Sequence, residues 1–551
     1  MESSNDYDFV IVGAGSAGCV LAARLSESGK YSVALLEAGG EDRNFWIRVP
    51  LGYGKLYTNR RLIWPFESEP EAELGGATLY QPRGRVLGGS SSINGMMYVR
   101  GPSHDFDYWR QLGNVGWGYD DVLPFFKKAE DNERGADKYH GQGGPLHVSD
   151  TVRHELADAF IEAAVAAGYP RNNDLNGATQ EGFGYNQLTV RDGQRCSTAV
   201  AYLHPARKRP NLHVITRALA TRILFRGREA VGVEFKQDGV TRSVTARREV
   251  IVSSGAINSP QLLQLSGVGA PALLSKFDIP VVADRPGVGE NLQDHFGVAI
   301  TYRLNKPVTL NDYYGNPLRR MKMGLDYLLF RKGPMAANAG LCQGFIRSEP
   351  HRDVPDLTVL MWIWSVAASG KRSGEKVNLN PFPGITVMVV NPHPESRGSV
   401  RIRSRDASIP PELRFNHLVS ARDRQLLIRG VCDARRIMSM PQMASYVVEE
   451  DDPGPNCVSD EDILDHIRRR GRSTHHTTAT CRMGIDKEAI VDPRLRVHGL
   501  GRLRVIDASV MPSEISGNTN AATIMIAEKG ASMVLEDTQS AVSAGKVKAA
   551  V

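Results

Sequence analysis

The sequence predicts an α/β protein organised around a discontinuous, Rossmann-like nucleotide domain, and three observations carry that expectation. A short apolar run, Phe9-Val-Ile-Val12, leads straight into Gly13-Ala-Gly15-Ser-Ala-Gly18, and a second run, Ser32-Val-Ala-Leu-Leu36, ends on Glu37. Far along the chain, Val250-Ile-Val-Ser repeats the buried-strand pattern ahead of another glycine, Gly255. A fourth such run, Leu503-Arg-Val-Ile, ends on Asp507.

Continuous apolar runs, rather than alternating ones, suit strands buried on both faces, as in a parallel sheet. After the first run, Ala17, Leu21 and Leu25 recur at helical spacing, and Ser28-Gly29 stops the helix. Gly13, Gly15 and Gly18 let the backbone turn, approach a pyrophosphate and pack helix on strand. Ser16 and Ala17 open the helix, whose unpaired N–H groups and positive dipole end suit phosphates. Glu37 stands 19 residues after Gly18, where a carboxylate with the adjoining Ala38 can grip ribose hydroxyls. This pattern does not separate NAD from FAD.

Other segments carry further donors. Gly84 to Gly95 holds Arg85, Gly89, Ser90 and Asn94, a loop able to bind phosphate or edge a ring, or else a plain turn before the strand Met96–Val99. Ser254 and Gly255 begin a turn that leads through Pro260 to a helix over Gln261–Leu265. Asp507 and Ala508 lead to Gly517-Asn518-Thr519-Asn520, which opens a helix expected over Ala521–Leu535. Before it stand His475 and His476. No carboxylate or Cys lies around them at a zinc-like spacing, so no metal is expected. An imidazole is a natural base for an alcohol.

Composition sets the frame. A chain of 551 residues exceeds one core, so two structural units are expected. Formal charge is +6, from 67 basic and 61 acidic side chains. The one basic cluster, Arg468-Arg-Arg470 with Arg472, reads as a solvated helix end, so nucleic acid is not an expected partner. The polar N-terminus has no secretory pattern, no run reaches the ~18 apolar residues of a membrane span, and six scattered cysteines suit a reduced, cytoplasmic setting. Residues 538–551 read as a loose tail.

Together these segments resemble the glucose–methanol–choline oxidoreductase family over nearly the whole chain, about Asp6 to Glu536. Gly84 to Asp107 is similar to its first signature, Gly255 to Gly269 to its second, and Gly287-Val-Gly-Glu-Asn-Leu-Gln-Asp294-His295 to a further stretch. The resemblance implies FAD and an FAD-binding domain from residues 1–155, 205–300 and 475–537, with Ala220 in the nucleotide site. It implies a substrate domain from 156–204 and 301–474, carrying a mixed or antiparallel sheet covered by helices. His476, eight residues before Gly484, stands at the family's catalytic His. Asn518 stands at its partner, and Thr519 and Asn520 lie near the flavin. The implied reaction has His476 take the hydroxyl proton of a primary alcohol while hydride passes to flavin N5. The chain departs from the family at Thr477 and Ala522, where Pro is common. Ile93 replaces the His through which some members bond FAD, so FAD is expected to be non-covalent. Trp362, Trp364 and His475 are expected to wall the substrate pocket. Without concentrated charge among them, the expected substrate is an uncharged aromatic or medium-chain alcohol. The acceptor is oxygen, or a quinone or other electron carrier with peripheral membrane association. A cyanohydrin lyase of the same architecture is a remote alternative. Oligomeric state is left open.

Overall fold

The computed structural model describes residues 5–367 and 378–549, with side chains described to residue 540. The expected parallel sheet forms. Its order is Leu212–Thr216, Val33–Glu37, Asp6–Val12, then Val240–Val252, with every one of these neighbours parallel. The long Val240–Val252 strand serves two partners. Its C-terminal part pairs in parallel with Leu503–Val505, and its N-terminal part turns into an antiparallel extension, Glu229–Gln237 and Ala218–Arg226. Phe9, Val10 and Ile11 are fully buried, as a strand covered on both faces requires. The domain is therefore discontinuous, drawn from the beginning, middle and end of the chain.

Glycine is needed at the first turn for steric reasons. Gly13 has φ +97°, and a Cβ there would lie 2.7 Å from the Ser253 carbonyl. A Cβ on Gly18 would sit 1.8 Å from the Gly13 carbonyl, so only glycine lets the helix Ser16–Ser26 approach the strand this closely. That helix packs on the C-terminal helix, where Arg24 Nη2 meets the fully buried Glu528 at 2.7 Å and the Tyr202 hydroxyl donates to the same carboxylate at 3.0 Å.

The second sheet is antiparallel throughout its main path. The order is Val447–Asp452, Phe296–Leu304, Gly384–Asn391, Leu357–Trp362, Gly340–Ile346, Gly182–Tyr185, with Arg472–Ser473 also pairing with Phe296–Leu304. Side chains on a strand alternate between faces. Val298, Ile300, Val359, Met361, Val387 and Val389 go to one face and pack under the helix Ala421–Met438. Contact there is close: a Cβ on Gly430 would lie 2.3 Å from Val389 Cγ1. Ala299, Thr301, Leu360, Trp362, Thr386 and Met388 go to the other face and look into a cavity.

Some expectations need correction. The boundary at 300 cuts the Phe296–Leu304 strand, which belongs wholly to the second sheet. The helix with Pro260 begins at Gly255 rather than Gln261. The last helix runs Thr519–Ala549, through most of the expected loose tail. Asp537 anchors that continuation through Arg494 and Arg504 at 2.8 and 2.7 Å, and an already nucleated helix extends at little cost through Ala, Gln and Lys.

Candidate active site

A cavity of about 490 Å³ lies between the glycine turns of the first sheet and the pocket face of the second. At the nucleotide end it is lined by Gly13, Gly15, Ser16, Ala17, Glu37, Ala38, Gly89, Ser90, Ala220, Ser254 and Gly255. The helix Ser16–Ser26 has no side-chain cap and no acidic residue in its first turn, leaving its N–H groups for an anion. A Cβ on Gly15 would meet protein only at 4.0 Å, whereas one on Gly89 would strike Gly15 Cα at 2.6 Å. The turn is thus packed from behind and open in front, the shape of a phosphate cradle. Glu37 accepts from Ala14 N–H at 2.9 Å and Gly39 N–H at 2.7 Å, while burial lifts its pKa to about 7. Asp507 fixes the turns, accepting from Gly255 N–H at 2.8 Å, Ser259 Oγ at 2.6 Å and Ser509 N–H at 2.8 Å. Ala508, Thr519 and Asn520 line the cavity beside it, and Ser16 Oγ donates to Asn520 Oδ1 at 2.7 Å.

In mid-cavity, Asn94 Oδ1 accepts from Arg195 Nη1 at 2.7 Å, and Gly95 O accepts from Asn338. Arg195 is fully buried, its pKa is pushed down to about 10 by burial, and its Nη2 has no partner among the described residues. Arg195 does not line the cavity itself; from behind, it fixes Asn94 and the Ser91 carbonyl, so that Asn94 and Gly95 are presented to a ring bound in the cavity.

At the far end the two histidines turn in different directions because His475 has φ +66°. Its ring goes to Gln81 Oε1 at 3.2 Å and stands edge-on to Tyr57. His476 is held by its own N–H, which donates to Asp294 Oδ1 at 2.7 Å. Its Nδ1 lies 2.9 Å from His295 Nδ1 and 2.9 Å from Thr474 Oγ1, and its Nε2 lies 3.1 Å from Asn518 Nδ2. One protonation pattern satisfies the row. The Ile515 carbonyl, 2.9 Å from His295 Nε2, can only accept, so that nitrogen carries the proton. His295 Nδ1 then accepts from His476 Nδ1–H, and His476 Nε2 is left as the acceptor beside Asn518. Burial drives the His476 pKa down to about 3, reinforced by His475 and Arg83, so the imidazole is neutral at ordinary pH.

Two expected residues do not reach the cavity. Gly18 serves packing, and Arg85 lays its guanidinium 4.4 Å over the Trp64 ring. Trp362 and Trp364 do line it. His295, Asp294 and Thr474 were not singled out from sequence, although the first two close a stretch that looked like the family. Arg83, which donates to the His475 carbonyl at 2.6 Å, was missed one residue outside the Gly84 loop. The basic cluster divides. Arg468 and Arg469 pair with Glu73 and Asp465 near the surface, but Arg470 and Arg472 line the cavity. The reading of a solvated helix end is wrong for those two.

The GMC oxidoreductase profile matches residues 7–297 for its N-terminal part and 394–527 for its C-terminal part. The chain belongs to the GMC oxidoreductase family. It is 42% identical to an oxygen-dependent choline dehydrogenase of Vibrio vulnificus (strain YJ016), over 96% of this chain and 94% of the relative. It is also 42% identical to an alcohol dehydrogenase [acceptor] of Pseudomonas putida, over 96% of each. Pyridoxine 4-oxidase from Mesorbium loti superposes with a TM-score of 0.86 at 32% identity, covering 95% of this chain and 98% of that one. The chain is thus an FAD-binding oxidoreductase acting on CH–OH groups. No helix among the described residues is long and apolar enough to cross a membrane.

Proposed function

We propose that the chain oxidises a primary alcohol to the aldehyde, with His476 as base, Asn518 as its partner and FAD held without a covalent bond. The row Ile515–His295–His476–Asn518 carries the reading, because it presents a neutral Nε2 lone pair to the cavity. The alcohol hydroxyl takes the place of Asn518 Nδ2 at that lone pair, donating to Nε2 while accepting from the amide. As the hydroxyl proton moves to Nε2, the imidazolium keeps its Nδ1–H on His295 and Thr474, so the ring does not turn. When bound, FAD supplies the two-electron acceptor. Ile93, buried and purely hydrocarbon, offers no nucleophile for a flavin bond. The relatives named as choline and alcohol dehydrogenases, and the pyridoxine oxidase, support the reaction class. Substituting His476 by Ala should slow anaerobic flavin reduction about 10²–10⁴-fold with FAD content unchanged. An unchanged reduction rate overturns the assignment.

A second reading concerns the acceptor, and the helix Pro317–Phe330 favours it. Leu318, Leu328, Leu329 and Phe330 are 64–72% exposed, with Met321 and Leu325 beside them. Exposed cations flank the stripe at Arg319, Arg320, Lys322, Arg331 and Lys332. An apolar stripe edged with cations suits the interface of an anionic bilayer. The turn Pro334–Ala336 that follows leads to Asn338 on the cavity wall. A cytoplasmic enzyme docked this way hands its electrons to a membrane quinone. Flotation with phosphatidylglycerol vesicles, lost in L328E/L329E, together with quinone-analogue turnover well above peroxide formation, is the expected result. Rapid peroxide formation and no flotation favour an oxidase.

A further inference from the structure

The pocket face of the second sheet carries an arginine that no carboxylate pairs among the described residues. Arg472 sits opposite Gly297 in the antiparallel pairing with Phe296–Leu304, and opposed residues share a face. That face continues through Ala299 and Thr301, both cavity-lining. Gly297 has no side chain and its successors are small, so the arginine lies over a low floor with its head in the cavity. Among the described residues its guanidinium makes no hydrogen bond and no ion pair. The nearest acid is already engaged: Asp452 Oδ2 holds Arg470 Nε at 2.9 Å and faces His466 Nδ1 at 3.7 Å. Burial, then Arg470, push the Arg472 pKa down, and Asp452 opposes them only at longer range. Among the described residues, the titratable groups near it on the cavity side are thus Arg470 and Asp452, which pair with each other, and His475, held neutral with a pKa of about 3 by burial.

A half-buried guanidinium whose five donors have no partner among the described residues is costly unless something brought into the site answers it. Its natural partner is a planar carboxylate, which can take two parallel N–H bonds. Trp362 and Trp364 line the same space, so the body between the two ends is walled by aromatic rings. His476 is four residues further on, its Cα at most about 14 Å from that of Arg472. We propose that Arg472 binds a carboxylate at the end of the substrate remote from the hydroxyl, making the chain's alcohol an anionic, ring-sized hydroxymethyl acid. This rests on the alcohol-oxidising reading and replaces the uncharged substrate expected from sequence. It also turns away a quaternary ammonium alcohol such as choline, which would meet a like charge.

The test uses holoenzyme, in wild-type, R472Q and R472K forms. Anaerobic flavin reduction is measured with 4-(hydroxymethyl)benzoate and with its methyl ester. Terephthalate, which has no alcohol to oxidise, is titrated by its shift of the flavin absorbance. Wild type should prefer the acid over the ester at least tenfold in kcat/KM, chiefly through KM. That ratio should fall to near one in R472Q and recover in part in R472K. Terephthalate should bind at least tenfold more weakly to R472Q. Equal terephthalate affinity in wild type and R472Q overturns the carboxylate site, whichever alcohols react. A wild-type preference for the ester also overturns it. Arg472-dependent terephthalate binding, with no alcohol bleaching the flavin, supports the carboxylate site and sinks the alcohol reading alone.

Discussion

The two walls of the cavity are made by different means. The nucleotide wall is made of backbone: N–H groups at a helix start and glycine turns whose missing Cβ atoms let chain lie on chain. The opposite wall is made of side chains, one from every second position on strands that come from distant parts of the sequence. Behind its turns, at Gly13, Gly18 and Gly89, the first wall tolerates no added atom. The second tolerates exchange of side chains and so can change substrate while the fold persists.

The sharpest break in that comparison is predicted at Gly18. Gly18→Val places carbon where the Gly13 carbonyl already stands, and purified protein should contain no FAD. Normal flavin content in this variant contradicts the packing argument. Next is His295, a positioning residue that acts through His476. His295→Leu removes the acceptor for His476 Nδ1–H and should lower kcat about 10²-fold with little change in KM, whereas His295→Asn, whose amide oxygen can accept, should recover part of the loss. Equal losses in both variants would show that the histidine only fills space.

Smaller effects are expected behind the sheet. His417 is 2% exposed, stacks on Phe296 and Phe415, and among the described residues has no partner for either ring nitrogen. Burial lowers its pKa from 6.5 to about 3. Its folded pKa is depressed, so the unfolded chain binds the extra proton, and stability present above pH 6.5 drains away as pH falls towards 3. The slope is at most about 1.4 kcal/mol per pH unit. His417→Phe should remove that part of the acid slope in urea midpoints measured between pH 7 and 5. Gly430→Ala should cost about 1–3 kcal/mol by forcing the helix off Val389. Its flavin reduction rate should stay normal, because the strain falls on the far face.

How much of this was legible follows from the same contrast. A site made of backbone is contiguous, so Gly13–Gly18, Glu37 and Gly517–Asn520 could be read directly. The places of His476 and Asn518 came from the family resemblance, and the structure sets the two side chains 3.1 Å apart on the cavity wall. Arg472 could not be read, since what aims it inward is pairing with Gly297, a register that no local pattern records. His295 was hidden for a similar reason: only the Ile515 carbonyl, far along the chain, gives its ring a role. The tail was misjudged because small polar residues look loose until Asp537 is seen bonded to two arginines.

The bond from Ser16 Oγ to Asn520 Oδ1 joins the first functional turn of the polypeptide to the last. Synthesis is vectorial, and domains that assemble from contiguous sequence can fold as they leave the ribosome. Here the Asp6–Val12 strand is made long before its neighbour Val240–Val252 and the Leu503–Val505 strand beyond. Until then the earliest strand has an unpaired edge open to other chains. Residues as far as Asn520 must therefore be made before the coenzyme cleft can close, and a nascent chain stalled short of Thr519 lacks one of its walls.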